Sequence, residues 1–244
     1  MTLPRDLDWP DCLNVRDLGG LPVTAGGTTR RGAVVRGDHP TYLTEVGWAA
    51  LWDHGIRTII SLETETDPGV AAANNIPLVV EGRWSGLVHL RLRLEDGTDP
   101  DFMSRWAESG LWVTPLYYAD ALSCWPRRFA ALVRHVARAR PGGVLLHCGR
   151  GCDRTGLATA VLLALAGVPA EDIAADYARS AERLAPREPT YAGRLGRMLD
   201  SAGTSVEDVF ADLLGSVDVD RHVLGAGLDP ADLAALRQRL VAVG

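Results

Sequence analysis

The sequence predicts an α/β fold in which a mostly parallel central sheet is flanked by helices and followed by a helical C-terminal part. Two observations support this prediction. Short runs rich in β-branched and apolar residues alternate with stretches of helical period, and the last third of the chain has helical periodicity alone. The chain has 244 residues, of which 47% are hydrophobic. It can therefore bury a substantial core, and we predict a single domain over residues 1–244.

The first half of the chain contains most of the predicted strands. Residues 1–30 are rich in Gly, Thr, Asp and Pro, which predicts loops with short extended pieces. Apolar residues at helical spacing predict a helix over Leu43–His54, with Thr44 as its N-cap and Gly55 as its stop. Strands are predicted where β-branched and apolar residues concentrate, at Gly32–Arg36, Arg57–Leu62, Ile76–Val80 and Leu87–Leu94.

The second half is predicted to be mainly helical. Residues Asp96–Trp112 mix Gly, Pro, Asp and Trp without a clear period. They form either a lid over a site or an excursion that Trp106 and Trp112 anchor in the core. Pro115–Arg138 is predicted to be an amphipathic helix that bends or breaks at Pro126. The other predictions are a strand at Val144–His147 and helices at Arg154–Ala166, Pro169–Leu184, Pro189–Ser201, Ser205–Leu214 and Pro230–Val241.

Charge and composition exclude several classes of function. The net charge is −6 and every basic residue is Arg, so we expect no nucleic-acid binding, which needs clustered positive charge. The longest apolar run, Leu157–Val168, is too short to span a membrane. The N-terminal residues lack the apolar core of a signal peptide, so we expect a cytoplasmic protein. The four cysteines have no spacing typical of zinc. We predict no metal and no cofactor, and the oligomeric state stays open.

One segment carries the chemistry, Val144–Gly156, which reads VLLHCGRGCDRTG. A predicted buried strand ends at His147, a loop begins at Cys148, and Arg154 opens a helix. Ligands of open α/β sheets bind at the carboxyl ends of the strands. The unpaired N–H groups at a helix N-terminus attract anions. The segment therefore predicts a site for an oxyanion such as phosphate.

The residue types in the loop suit attack on that anion. Gly149 and Gly151 let the loop curl so that successive N–H groups converge. The Arg154 guanidinium can fold back beside Cys148 and grip two phosphate oxygens. The helix dipole and the arginine charge both favour a thiolate, which is then placed for in-line attack. The blander alternative is a reduced, buried cysteine beside a helix cap.

The motif HCGRGCDRTG resembles the signature loop of protein tyrosine phosphatases, HC-x-x-G-x-x-R-[ST]-G. Its Asp-Arg-Thr-Gly ending narrows the resemblance to the atypical bacterial and fungal tyrosine phosphatases, whose loop commonly reads HC-x-A-G-K-D-R-T-G. The segment Asn14–Gly20, NVRDLGG, is similar to the N-F-R-D-L-G-G motif of that family. The resemblance covers about residues 12–240, with further matches at Arg36–Asp38, Leu43-Thr44, Gly55–Thr58, Asp176-Tyr177 and Ser180.

The resemblance implies a tyrosine-phosphatase-like fold and a cysteine-dependent phosphatase acting on phosphotyrosine-type, or broader, phosphomonoesters. It implies Cys148 as the nucleophile, Arg154 as the phosphate clamp, and Asp153 as the general acid and then the base. Thr155 is implied to hydrogen-bond the thiolate, and His147 to brace the loop with its ring. The implied substrate-binding residues are Gly149, Arg150, Gly151, Cys152 and Arg154, and the implied supporting residues are Arg16, Asp17 and Asp38.

The sequence departs from the family pattern at two places, and these departures leave the substrate preference undetermined. Arg150-Gly151-Cys152 replaces Ala-Gly-Lys, and Ile59–Glu63 (IISLE) replaces V-I-D-L-R, so a loop lysine and two pocket residues are absent. The expected partner is a phosphorylated protein or a small phosphomonoester. The alternative function is a pseudophosphatase that binds a phosphorylated partner without turnover. Sulfur transfer or arsenate reduction on a similar loop suits Asp-Arg-Thr-Gly less well.

Two side chains have competing interpretations. Cys152 is either a redox partner that traps an oxidised Cys148 as a disulfide, or a small residue facing outward from the loop. Asp38 either orients Arg154 or a water molecule, or forms a turn with Gly37.

Overall fold

A mixed five-stranded sheet forms the centre of the fold. The computed structural model describes residues 4–62, 84 and 86–242. In these ranges the strands are β1 (Arg16–Asp17), β2 (Val34–Gly37), β3 (Ile56–Ser61), β4 (Val88–Arg91) and β5 (Gly143–His147). Their order across the sheet is β1-β2-β5-β3-β4, and β1 alone is antiparallel to its neighbour. The predicted α/β fold with a mostly parallel sheet is confirmed.

Three strands end side by side at the middle of the sheet. His147, the last residue of β5, pairs with Gly37 of β2 and with Ser61 of β3. Because these strands are parallel, the segments that follow them leave the sheet at the same edge. The loop that starts at Cys148 therefore lies between the chain ends of its two neighbours.

Ten α-helices accompany the sheet in the described part of the chain. Helix α1 begins after the N-cap Thr44, which accepts the Gly47 N–H, and ends before Gly55 with its φ of +95°. Both boundaries agree with the prediction. The helices are α1 (Glu45–Asp53), α2 (Pro100–Phe102), α3 (Tyr118–Cys124), α4 (Pro126–Ala137), α5 (Asp153–Leu165), α6 (Ala170–Leu184), α7 (Tyr191–Ser201), α8 (Val206–Ser216), α9 (Val219–Gly225) and α10 (Pro230–Leu240).

The sheet is covered on both faces. Alternate residues of a strand point to opposite faces, and Val34 and Val35 accordingly belong to different core clusters. The smaller cluster packs under α1 and includes Leu51. The larger one joins the sheet to α4, α5 and the C-terminal helices, and α5 is buried along most of its length. Burial of each such aliphatic side chain contributes about 1.5–3 kcal/mol.

The structure refines several predicted elements. Pro126 splits the predicted helix in two, because α3 ends at Cys124 and α4 starts at Pro126. Helix α9, seven residues long after the N-cap Asp218, was not predicted. The predicted strand Ile76–Val80 lies outside the described residues. Within the described ranges, no helix is long and apolar enough to cross a membrane.

The segment Asp96–Trp112 is tied to the core by aromatic side chains. Phe102 is buried, and its ring meets the Trp112 ring edge-on, with centroids 6.4 Å apart. Trp106 Nε1 donates to Asp120 at 3.0 Å. These contacts favour the interpretation in which the tryptophans anchor the segment.

Candidate active site

The loop from Cys148 to Cys152 joins strand β5 to helix α5 at the carboxyl edge of the sheet. Gly151 has a φ of +67°, and a Cβ atom there would lie 2.3 Å from the carbonyl carbon and oxygen of Gly37. Glycine alone combines this left-handed conformation with so close an approach to another backbone. Cys148 is only 2% exposed, so its thiol lies at the buried base of the loop.

Groups from the N-terminal part of the chain hold the carbonyl groups of the loop. The His39 N–H donates to the Gly149 carbonyl at 3.1 Å. Asn14 Nδ2 donates to the carbonyls of Arg150 and Gly151 at 3.0 and 3.1 Å. In a trans peptide the C=O and the following N–H point in opposite directions. The N–H groups that follow these carbonyls therefore point away from His39 and Asn14.

A buried group of arginines lies behind the loop. Arg36 donates to the Gly151 carbonyl at 2.8 Å and to the Asp176 carboxylate at 2.6 Å. Arg16 donates to the same carboxylate at 3.0 Å, and Arg5 is a third ion-pair partner. Three guanidinium groups thus share one carboxylate, which leaves excess positive charge beside the loop.

Burial and neighbouring charges set the pKa values of this group. Burial favours neutral Asp176, but the charges of Arg16 and Arg36 outweigh it and hold the pKa of the carboxyl well below its usual range. Burial, together with repulsion from Arg36, lowers the pKa of Arg16 to about 10. Asp176, Arg16 and Arg36 are therefore charged near neutral pH. Their field acts on an anion in the loop with little screening by water.

The two carboxyl oxygens of Asp153, the first residue of α5, have different surroundings. Oδ2 accepts a hydrogen bond from Arg150 Nη2 at 2.7 Å. Oδ1 is buried and has no hydrogen-bond partner among the described residues. The Tyr118 hydroxyl donates to the Asp153 backbone carbonyl at 2.6 Å, which fixes the first turn of the helix. A carboxyl group held by one oxygen and open at the other can exchange a proton with a neighbouring ligand.

A second buried carboxyl group, Glu95, lies near Arg154 and follows strand β4. It is fully buried and accepts hydrogen bonds from the Tyr117 hydroxyl and from Trp112 Nε1, each at 2.6 Å. Burial raises the pKa of Glu95 to about 7, against the opposing effect of the Arg154 charge. Arg154 itself is half-buried in the first turn of α5.

Comparison with known proteins agrees with this geometry. The sequence model described as the tyrosine phosphatase family matches residues 7–242. The chain belongs to the tyrosine phosphatase family. A putative tyrosine-protein phosphatase of Cupriavidus necator is 28% identical over 201 residues, which cover 78% of this chain and 68% of that protein. A tyrosine-protein phosphatase of Nostoc commune is 44% identical over 57 residues, 23% of this chain and 19% of that protein.

These findings confirm the resemblance to tyrosine phosphatases that the sequences HCGRGCDRTG and NVRDLGG indicate. They also confirm the enzyme class, a tyrosine-protein phosphatase within the phosphoric monoester hydrolases. The individual site residues of this phosphatase stay predictions, and the structure reports where each of them lies.

Thr155 and His147 of the phosphatase loop are both fully buried. Thr155 Oγ1 has no hydrogen-bond partner among the described residues, so the expected bond to Cys148 is not formed here. His147 Nδ1 lies 3.3 Å from the Cys148 carbonyl, as a bracing ring would. Burial lowers the pKa of His147 well below its ordinary value. The neutral ring therefore donates from Nδ1, since a carbonyl oxygen only accepts.

Cys152 faces the core rather than solvent, and its side chain contacts a residue outside the loop. Its side chain is 0% exposed, and its Sγ lies 3.0 Å from the Tyr191 hydroxyl. Burial raises the pKa of the Cys152 thiol to about 11. The thiol thus points away from solvent, and the expected contact of Cys152 with substrate stays a prediction. The redox pairing with Cys148 stays an untested prediction.

Two of the expected supporting residues reach the loop through Asn14. Arg16 Nη1 donates to the Asn14 side-chain oxygen. Asp38 accepts the Leu13 and Asn14 N–H groups at 3.0 and 3.2 Å and pairs with Arg187 at 2.9 Å. The Asp38 carboxylate therefore fixes the segment that carries Asn14, which is neither of the two roles considered for it from sequence.

Asp17 lies apart from the loop. It accepts the N–H groups of Gly19 and Gly32 at 2.7 and 2.8 Å, and its Oδ2 is 3.3 Å from His54 Nε2. Gly32 precedes β2, so these contacts are at the amino end of the strand, opposite the loop. Asp17 fixes the N-terminal turns and is not seen to buttress the site.

Sequence reasoning missed several residues that contact the site. Asn14, Arg36 and Asp176 lie in segments that matched the family pattern. The match marked these positions but did not predict what each residue does. Glu95 and Tyr191 had no signal, because their neighbours in space are distant in sequence. Glu63, one of the departures from the family pattern, is outside the described residues. Within the described ranges, no three His, Cys, Asp or Glu side chains are grouped so that they could hold a metal ion.

Proposed function

We propose that this phosphatase hydrolyses phosphotyrosine-type phosphomonoesters through a cysteinyl-phosphate intermediate formed on Cys148. The observation that carries the proposal is the loop whose carbonyls accept hydrogen bonds from Asn14, Arg36 and the His39 N–H. That arrangement supports a ring of inward N–H donors above a buried cysteine, which suits a tetrahedral dianion. The positive charge of the buried arginines favours the same ligand.

The first step is transfer of the phosphoryl group to sulfur. The Cys148 thiolate attacks phosphorus opposite the ester oxygen, so a P–S bond forms as the P–O bond breaks. Arg154 holds two equatorial oxygens and balances their charge. The electron pair of the broken bond stays on the leaving oxygen, and Asp153 gives that oxygen its proton.

The second step returns the enzyme to its starting state. The Asp153 carboxylate takes a proton from a water molecule as that water attacks phosphorus. The P–S bond breaks, its electron pair returns to the Cys148 sulfur, and inorganic phosphate leaves. The Thr155 hydroxyl has no hydrogen-bond partner in the part of the chain that the structure describes, and it is available to hydrogen-bond the departing thiolate. The expected cytoplasmic setting keeps such a thiol reduced.

The substrate is proposed to be a phosphorylated protein or a small aryl phosphate. The loop lysine of the family is absent, and the Cys152 thiol at that position is buried. Arg150 is engaged with Asp153 and Glu188. These contacts leave fewer free cations for a second phosphate group, which favours singly phosphorylated substrates over polyphosphorylated ones.

The test is turnover of p-nitrophenyl phosphate. We expect activity that Cys148→Ser abolishes, that Arg154→Ala lowers strongly, that vanadate blocks and that a chelator leaves unchanged. Cys124→Ser, at an exposed free cysteine, is the matched control and should retain activity. Full activity in Cys148→Ser would exclude the mechanism. Tight binding of a phosphotyrosine peptide without turnover by the wild type would instead establish the pseudophosphatase.

The acid role of Asp153 has its own test. Asp153→Asn should lose on the order of a hundredfold in rate with phenyl phosphate, a poor leaving group, and much less with p-nitrophenyl phosphate. The nitrophenolate leaves readily and needs little help from an acid. Equal losses on both esters would show that Asp153 does not supply the proton.

A further inference from the structure

Arg150 makes contacts that orient one carboxyl group of the site. Its Nη2 donates to Asp153 Oδ2 at 2.7 Å, and its Nη1 donates to Glu188 Oε2 at 3.0 Å. The guanidinium carbon lies 4.6 Å from the centroid of the Tyr191 ring. Two carboxylates and an aromatic face thus fix a side chain that is mostly buried.

The other oxygen of the same carboxyl group is left open. Asp153 Oδ1 is buried without a hydrogen-bond partner among the described residues. Leaving a buried acceptor without a partner destabilises the folded protein. Such a cost is often found at a functional site, where a ligand supplies the missing partner. Asp153 opens the helix that follows the phosphate loop, so a bound ester is the nearest candidate.

We propose that Arg150 is a positioning residue for Asp153, holding Oδ2 so that Oδ1 is the oxygen that gives and takes the proton. This inference rests on the proposed function. In the first step the Oδ1–H bond breaks and the proton passes to the leaving oxygen. In the second step a proton from water returns to Oδ1 as the water attacks phosphorus. Arg150 stays protonated throughout, and Oδ2 accepts its hydrogen bond in both states.

Glu188 makes this arrangement compatible with a change of charge on Asp153. When the Asp153 carboxyl is protonated, Glu188 still balances the Arg150 cation at 3.0 Å. Arg150 therefore keeps a charged partner at every stage. Its ion pair with Glu188 holds the guanidinium away from the substrate phosphate. Stacking on Tyr191 further restricts the guanidinium.

Two other roles for Arg150 are distinguishable from this one. Arg150 could bind the substrate directly, which would raise KM on all esters alike. It could instead only tie the loop to Glu188 and Tyr191, in which case its loss would lower thermal stability without changing the preference between leaving groups. A positioning role acts through Asp153 and depends on the leaving group.

The experiment compares Arg150→Ala with wild type on phenyl phosphate and p-nitrophenyl phosphate. We expect kcat/KM to fall about tenfold or more on the phenyl ester and less than about threefold on the nitrophenyl ester. In an Asp153→Asn background, Arg150→Ala should change either value by less than about twofold, because the group it orients no longer transfers a proton. Arg150→Lys should recover part of the loss, since one ammonium can hold Oδ2 but not both carboxylates.

Arg194→Ala is the matched control. Arg194 also lies over the Tyr191 ring, at 5.8 Å, and its Nη2 is 3.9 Å from Glu188 Oε2. Within the described residues Arg194 neither donates to Asp153 nor pairs with it, so its removal should leave the ratio of the two esters unchanged. Thermal unfolding of every variant separates loss of fold from loss of positioning, and Arg150→Lys serves if the alanine variant does not fold.

The outcomes separate this inference from the function it rests on. A wild type without turnover overturns both. A wild type whose turnover depends on Cys148, with an Arg150→Ala effect that persists in the Asp153→Asn background, overturns the positioning role alone. Equal losses of kcat/KM on the two esters, or no loss on either, would also overturn the positioning role alone.

Discussion

Asp153, Glu95 and Asp176 are three acidic residues of one site, and each has a different set of neighbours. Asp176 is surrounded by guanidinium groups, and their charges keep it ionised. Glu95 is buried and accepts from two neutral donors, and its burial raises its pKa to about 7. Asp153 Oδ2 accepts from Arg150, while its Oδ1 has no hydrogen-bond partner among the described residues. Burial and neighbouring charges therefore shift the pKa values of Asp176 and Glu95 in opposite directions, although both are carboxyl groups.

Glu95→Gln tests the environment of that residue through stability. Glu95 titrates at about 7 in the folded chain and at about 4.3 when unfolded. Unfolding therefore releases a proton between these pH values, and the stability of the wild type falls as pH rises through them. Gln does not titrate, and it can accept from Trp112 while donating to the Tyr117 hydroxyl. The stability of the variant relative to wild type should rise by about 2–3 kcal/mol from pH 5 to pH 8.

Urea unfolding of both proteins at the two pH values measures this difference. Glu108→Gln, at an exposed position, is the control and should show the same difference from wild type at both. A pH-independent effect of Glu95→Gln would mean that Glu95 is ionised in the folded protein throughout this range.

The loop residues could be predicted from sequence because they are contiguous. Cys148, Asp153 and Arg154 stand at fixed positions between a strand and a helix, so the sequence alone predicts that they lie close together, while their roles stay predictions. Residues that contact the loop from other segments have no fixed spacing from it in the sequence. Asn14 and Arg36 contact it across more than a hundred residues of chain, and hydrogen bonds of that kind depend on the tertiary fold.

At the scale of elements, the conformation of the Cys148–Cys152 loop depends on the register of β2 against β5. Gly37 ends β2 opposite His147, and the loop then packs its own Gly151 onto that strand end. Asp38 and His39 continue from β2 and connect the loop to the N-terminal segment. The shape of the loop is thus set by the neighbouring strand as much as by the loop's own glycines.

Gly151→Ala tests this close approach. The new Cβ would stand 2.3 Å from Gly37 backbone atoms at a φ of +67°, so the loop must shift. We expect kcat/KM on p-nitrophenyl phosphate to fall by about a hundredfold or more, because small misplacement of a catalytic loop is costly. Stability should fall by about 2–4 kcal/mol.

Gly203→Ala is the matched control for backbone conformation alone. Gly203 has a φ of +69°, and no described atom other than its chain neighbours lies within 4 Å of the added Cβ. Its substitution should cost about 1–2 kcal/mol and leave turnover intact. If Gly151→Ala keeps turnover near that of Gly203→Ala, the contact with Gly37 does not shape the site.

Element types were predictable where local signals were strong. Thr44 and Gly55 mark the ends of α1, and Pro126 marks the start of α4, because caps and prolines act through their own backbone. Helix α9 escaped prediction because it has only two turns and buries only Val219 and Val223. A pattern that short has no period to detect, and its position is decided by packing on the rest of the protein.

At the scale of the whole molecule, the C-terminal helices belong to the same core as the sheet. Leu236 of α10 lies in the cluster that contains the strand residues Val144 and Ile60. Polar contacts support the packing, since Arg138 pairs with Asp232 at 2.6 Å. This shared core supports the prediction of one domain over residues 1–244, which still requires a test by unfolding.

Leu236→Ala provides that test, because the chain separates its optical probes. All seven tryptophans lie between Trp9 and Trp125, whereas the far-ultraviolet circular dichroism also reports the C-terminal helices. Leu236 is fully buried, so its truncation should cost about 2–5 kcal/mol. In a single cooperative unit, fluorescence and dichroism should give the same lowered midpoint in urea.

Val46→Ala, at a 68% exposed position, is the control and should change stability by less than about 0.5 kcal/mol. A tryptophan transition that stays at the wild-type midpoint while helical signal is lost earlier would mean that the C-terminal helices unfold as a separate unit.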